Sequence, residues 1–102
     1  MNDTQRKMKE TIDKALANNH RNVPATTAES LERYVLYGIP AGGFVTAVLE
    51  NNLIGAVARA DSTNAAHLTS IVIYVYNVLP FKATGSHDSV VNWVSSKGLT
   101  FP

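Results

Sequence analysis

The sequence predicts an all-α domain, a compact bundle of five or six short helices. Three observations carry that expectation. Apolar residues recur at helical spacing along most of the 102 residues, cap and stop residues punctuate them at short intervals, and the one β-rich stretch has no obvious strand partner. Residues 1–25 read as an amphipathic N-terminal helix with its loop and residues 26–98 as a helical core, all within a single domain.

The first helix is expected over residues 3–18, where Met8, Ile12, Ala15 and Leu16 form one apolar face and Asn18 and Asn19 end the run. After the loop "NVPATTAES", Thr26 and Glu29 have the spacing of a capping box, opening a helix through Tyr37 with Leu31, Tyr34 and Val35 as its stripe. Gly38 suits the left-handed C-terminal position, with Pro40 just beyond. A third helix starts near Ala41 or Gly42 and runs to Glu50, turning Phe44, Ala47 and Val48 inward. Asn51 and Asn52 then supply helix-stop and N-cap chemistry, and "LIGAVARA" continues as a short helix to about Ala60.

Asp61, Ser62 or Thr63 caps the next helix. Within "AAHLTSIVIYVYNVLP" the β-branched and aromatic residues read locally as a strand. Leu68, Ile71, Val72, Val75 and Leu79 nevertheless fit helical spacing, and a buried helix is the reading adopted. Ser86 caps a last helix from about His87 to Lys97, with Val90, Val91 and Trp93 or Val94 inward and Gly98 as its stop.

Charge is unevenly placed. The net charge is +1, and five of the nine basic residues (Arg6, Lys7, Lys9, Lys14, Arg21) lie in the first 21 positions among Asp3, Glu10 and Asp13. Such a mixed segment is a solvated arm or a docking surface rather than a nucleic-acid reader. From Tyr34 through Phe81 only Glu50, Arg59 and Asp61 are charged, so this span is expected in a core or an interface, and a homo-oligomer is expected with it. Cysteine is absent, which removes disulfides and thiolate metal sites. No apolar run is long enough to span a membrane, and "MNDTQRKMKE" lacks a signal-peptide core; a soluble, intracellular protein is expected.

The stretch "LERYVLYGIPAGGFVTAVLENNLIGAVARADSTN", followed by "IVIYVYNVLP", "GS" and "VVNWV", resembles a set of small, largely uncharacterised proteins encoded by phages and prophages. That set shows a Tyr, Gly-Ile-Pro-x-Gly, an apolar "AVL" segment, an Asn with an acidic neighbour before Leu, and Arg-Ala-Asp with a nearby Asn. The resemblance covers roughly residues 31 to 98, and Asn52 departs from it by standing where an acidic residue is expected. It implies a viral or mobile-element setting, with the host-cell cytoplasm as the expected location and an anti-defence role, rather than a reaction.

A protein of that kind acts by sequestering a small signalling molecule or by blocking a host protein. A sponge for a cyclic nucleotide or an ADP-ribose-type signal requires an anion site, a surface for a base and an enclosed pocket. Gly42 and Gly43 offer backbone N–H groups, Arg59 a guanidinium, and Asn51, Asn52 and Asn64 amide donors and acceptors, with Asp61 beside them. Phe44, Tyr74 or Tyr76 would stack on the base. Plainer readings stand beside these: Gly42 and Gly43 as turn residues, Arg59 paired with Glu50, the asparagines and Asp61 as caps, and the tyrosines as core.

An enzyme is not expected. The sequence has no GxGxxG, no GxxxxGK(S/T), no HExxH, no GxSxG and no cysteine nucleophile. His20, His67 and His87 lack ligand spacing, so neither metal nor cofactor is expected, and Ser86-His87-Asp88 reads as a helix start rather than a triad. Glu50 and Asp61 form an acid/base pair only on paper. The central helices carry too little Lys or Arg for a basic recognition helix. The expected function is a non-catalytic binding protein that sequesters a nucleotide-derived immune signal, with inhibition of a host protein as the alternative.

Overall fold

The computed structural model describes residues 1–101, and they are helical and connecting segments with no strand among them. Seven α-helices run in order: α1 (Asp3–Ala17), α2 (Ala25–Tyr37), α3 (Gly43–Leu49), α4 (Leu53–Arg59), α5 (Ser62–Ala66), α6 (Leu68–Val78) and α7 (His87–Ser95). A 3-10 helix at Phe81–Ala83 links the last two. The expected five or six helices become seven because Asp61 caps a separate single turn, α5, before His67 starts the next helix. The radius of gyration, 12.6 Å, is that of a folded domain of this length, about 13 Å.

Two helices organise the core. The α2 helix buries Leu31, Tyr34, Val35 and Leu36 and packs on α1, α3 and α7, while α6 buries Ile71, Tyr74 and Val75. The ambiguous "SIVIYVYNV" is thus helical: its backbone hydrogen bonds close within the segment, and no strand lies beside it. The buried helix expected is buried on one face only, since Val72, placed on the inward stripe by its spacing, faces outward with Ile73 and Tyr76. The charge-poor span therefore supplies surface as well as core.

Side-chain N-caps form at α1, α4, α5 and α7. Asn52, Asp61 and Ser86 accept the N–H groups of Gly55, Asn64 and Ser89, as their positions at helix starts require. The Thr26–Glu29 capping box is not formed. Pro24 occupies the N-cap, its ring fixing φ at −57°, and the helix begins at Ala25. A capping box does exist at α1, where Asn2 and Gln5 bond each other's backbone N–H at 2.8 Å. The left-handed stop of α7 comes one residue before Gly98: Lys97 takes that conformation first, and the N–H groups of Lys97 and Gly98 return to Val94 and Trp93 in a Schellman arrangement.

The α3 and α4 helices form a hairpin around Asn51, whose φ of +62° is tolerated by asparagine. Within α4 only Gly55 and Ala56 are buried, so Leu53, Ile54 and Val57 stand in solvent. This hairpin carries Gly42 and Gly43 at one end and brings Arg59 back beside them.

Candidate functional site

Three segments converge on a polar recess of about 390 Å³. The first turns of α2 contribute Thr26, Thr27 and Ser30, the entry to α3 contributes Gly42, Gly43 and Phe44, and the α4–α5 junction contributes Arg59, Asp61, Thr63 and Asn64. Six residues singled out in the sequence therefore meet here: Gly42, Gly43, Phe44, Arg59, Asp61 and Asn64. Asn51, Asn52 and Tyr76 do not line the recess.

The wall is braced by short hydrogen bonds. Thr27, buried in α2, donates from its hydroxyl to Asn64 Oδ1 at 2.6 Å, tying α2 to α5. Asp61 Oδ1 accepts the Asn64 N–H at 2.7 Å. Both contacts fix Asn64 while leaving its amide nitrogen as a donor.

Arg59 does not pair with Glu50. Glu50 takes His87 instead, with 2.6 Å between Oε2 and Nδ1, while Arg59 Nη1 donates to the Gly55 carbonyl at 3.2 Å. Among the described residues no carboxylate lies within 4.0 Å of the guanidinium. Most of its five donors therefore remain for another acceptor.

The glycines divide by cause. A Cβ at Gly43 would come within 3.2 Å of Arg59 Cδ, and one at Gly55 within 2.5 Å of the Asn52 amide, so both admit neighbouring side chains. Gly42 has φ of −69°, and a Cβ there would meet nothing within 4 Å. Neither strain nor packing requires glycine at this position, where Ser, Asp or Asn would cap α3 better. Its bare backbone faces the recess.

A second concavity is larger and more apolar, about 1210 Å³ between α6 and α7 over the end of α3. Val48, Leu49, Val75, Leu79 and Trp93 are among its lining residues, with Tyr76, Phe81 and Phe101 exposed around it and Lys82 its single charge. Asn51 and Tyr76 belong to this groove, while the Asn52 side chain is occupied in capping α4. Of the proposed stacking residues, Tyr74 is wholly buried and edge-on to His20, and Phe44 is nearly so. The guanidinium and the exposed tyrosine thus serve different surfaces.

Sequence reasoning missed Thr27 and Ser30 as lining residues and read Thr26 and Thr63 as candidate caps. The signal present was the hydroxyl cluster 26, 27 and 30 on one side of a helix start. For Phe81 and Phe101 no sequence signal separated exposed from buried rings.

Fold and recess together define a small helical domain whose recess sets the Arg59 guanidinium, with no carboxylate of the described residues within 4.0 Å, beside hydroxyl, amide and backbone donors. No group of three His, Asp or Glu side chains that could hold a metal occurs among the described residues, and no helix there is long and apolar enough to cross a membrane. No protein-family model, curated protein or solved structure matches the chain.

Proposed function

We propose that this protein is a non-catalytic binder of a small anionic, hydroxyl-rich ligand, and that it sequesters a nucleotide-derived signal of the ADP-ribose type in a phage or prophage setting. The observation that carries the reading is the convergence of Arg59, Asn64 and the glycine backbone at one recess. Arg59 supplies a two-pronged contact for phosphate, and the Asp61 carboxylate and the threonine hydroxyls suit ribose oxygens. The volume falls within the roughly 300–1,000 Å³ of small-molecule sites. The recess lacks a free aromatic face, which favours recognition through ribose and phosphate over stacking on two bases.

Calorimetric titration with ADP-ribose and with a cyclic dinucleotide tests this. Saturable binding of ADP-ribose is expected, lost in Arg59→Ala and weakened in Gly42→Ala, whose methyl group meets only the ligand. No binding of either compound, or binding indifferent to both substitutions, would leave the recess without a ligand role. Inhibition of a host protein is the second reading, and the exposed Tyr76, Phe81 and Phe101 around the large groove favour it.

A further inference from the structure

The α4 helix and the large groove have complementary shapes on one chain. Leu53, Ile54 and Val57 form an uncharged ridge, exposed by 67%, 82% and 56%. The groove between α6 and α7 is concave, apolar at its floor, and carries no carboxylate among its lining residues. Leu53 comes only two positions after Asn51, a groove residue, so ridge and groove adjoin within the α3–α4 hairpin.

From these relations we infer that the groove receives the α4 ridge of a second copy of this chain, and that the partner's groove receives this one in return. Adjoining knob and hole are what a two-fold, self-complementary interface uses, because each copy offers both halves at once. A short helix presenting anchors at i, i+1 and i+4 is a suitable occupant for such a groove.

The area agrees. At about 150–250 Å² for a whole aromatic side chain, Tyr76, Phe81 and Phe101, exposed by 87%, 93% and 74%, present on the order of 500 Å². The three ridge residues and Val72 bring this near the roughly 800 Å² per partner of a standard interface. The largest apolar patch of an ordinary monomer is about 300–600 Å². A second copy also explains how a 48-residue span with three charges avoids lying against water. This inference does not rest on the ligand reading.

The test uses charge exchange across the interface, read by sedimentation velocity on the full chain, with circular dichroism confirming helicity. The unaltered protein is expected to be a dimer at micromolar concentration. Ile54→Lys on the ridge and Tyr76→Glu on the groove wall alter exposed side chains and leave the core untouched, so each variant is expected to keep the helicity of the unaltered protein. Each alone should weaken self-association on the order of 100-fold, because it buries an unpaired charge. Mixing the two variants should restore dimers, since one ridge–groove contact is then unaltered and the other sets the introduced ammonium against the introduced carboxylate. A monomeric unaltered protein would overturn the inference and return the groove to a host partner. Variants that still dimerise, or that stay monomeric when mixed, would overturn it equally.

Discussion

Gly38 and Gly98 lie against each other backbone to backbone, and a Cβ on either would stand 2.6 Å from the amide nitrogen of the other. Both have left-handed φ, +67° and +60°, so space and conformation alike exclude a side chain. The contact joins the end of α2 to the segment after α7, and the Leu99 N–H completes it on the Val35 carbonyl at 3.2 Å. Gly38→Ala or Gly98→Ala should each cost about 3 kcal/mol or more, combining backbone strain with overpacking. Urea denaturation measures this, and a loss below about 1 kcal/mol would mean the segments separate easily.

Two buried tyrosines predict opposite outcomes for the same substitution. Tyr34 donates its hydroxyl to the Ala83 carbonyl at 2.6 Å, while the Tyr74 hydroxyl has no partner among the described residues. Tyr34→Phe should therefore lose about 1–3 kcal/mol by stranding a buried carbonyl. Tyr74→Phe should be neutral or stabilising by up to about 1 kcal/mol, since it removes an unsatisfied hydroxyl. Thermal melts of both variants decide the matter.

The same residues set the alkaline limit. Burial, with Glu32 and Asp13 adding to it, pushes the Tyr74 phenol up to about 12, and burial with Glu50 raises that of Tyr34 as well. In the unfolded chain both titrate near about 10. The folded state therefore holds protons that the unfolded state has released, so the stabilisation is complete below about pH 10 and is lost as pH rises through about 12. Stability curves should be flat in this respect to about pH 9 and fall above about 10. Tyr74→Phe should make the fall shallower, and an unchanged slope would refute its part in it.

At the other end of the chain, Asn2 holds both α1 and the C-terminal segment. Its side chain accepts the Gln5 N–H and donates to the carbonyls of Leu99 and Thr100, while buried Gln5 donates to the Leu36 carbonyl at 2.7 Å. Asn2→Ala should cost about 1–2 kcal/mol, a cap together with a tether. Hydrogen exchange should show the amides of residues 2–6 and 98–101 opening together.

How much of this the sequence disclosed depends on the range of the interaction. The roles of Asn52, Asp61 and Ser86 were legible because a cap acts within four residues, and Gly38 because its conformation is local. The exposed face of α4 was not legible, since Leu53, Ile54 and Val57 have the same composition as a buried stripe, and only packing on α3 decides which side is covered. Five residues of the recess (Gly42, Gly43, Arg59, Asp61 and Asn64) were identified as separate helix-end features and Phe44 as a stacking ring, and their convergence depends on the hairpin returning Arg59 to Gly43. Tyr76 was grouped with them because residue type says nothing about which surface a ring serves. The Arg59–Glu50 pair failed for a similar reason: His87, 37 positions away, reaches Glu50 first.

Native mass spectrometry of the purified protein with ADP-ribose, with denaturation and analysis of the released compound, is the sharpest test of a binding site at Arg59. A mass increase of one intact ligand per recess is expected, recovered unchanged and absent in Arg59→Ala. No mass increase, or recovery of a cleaved product, would contradict non-catalytic sequestration there.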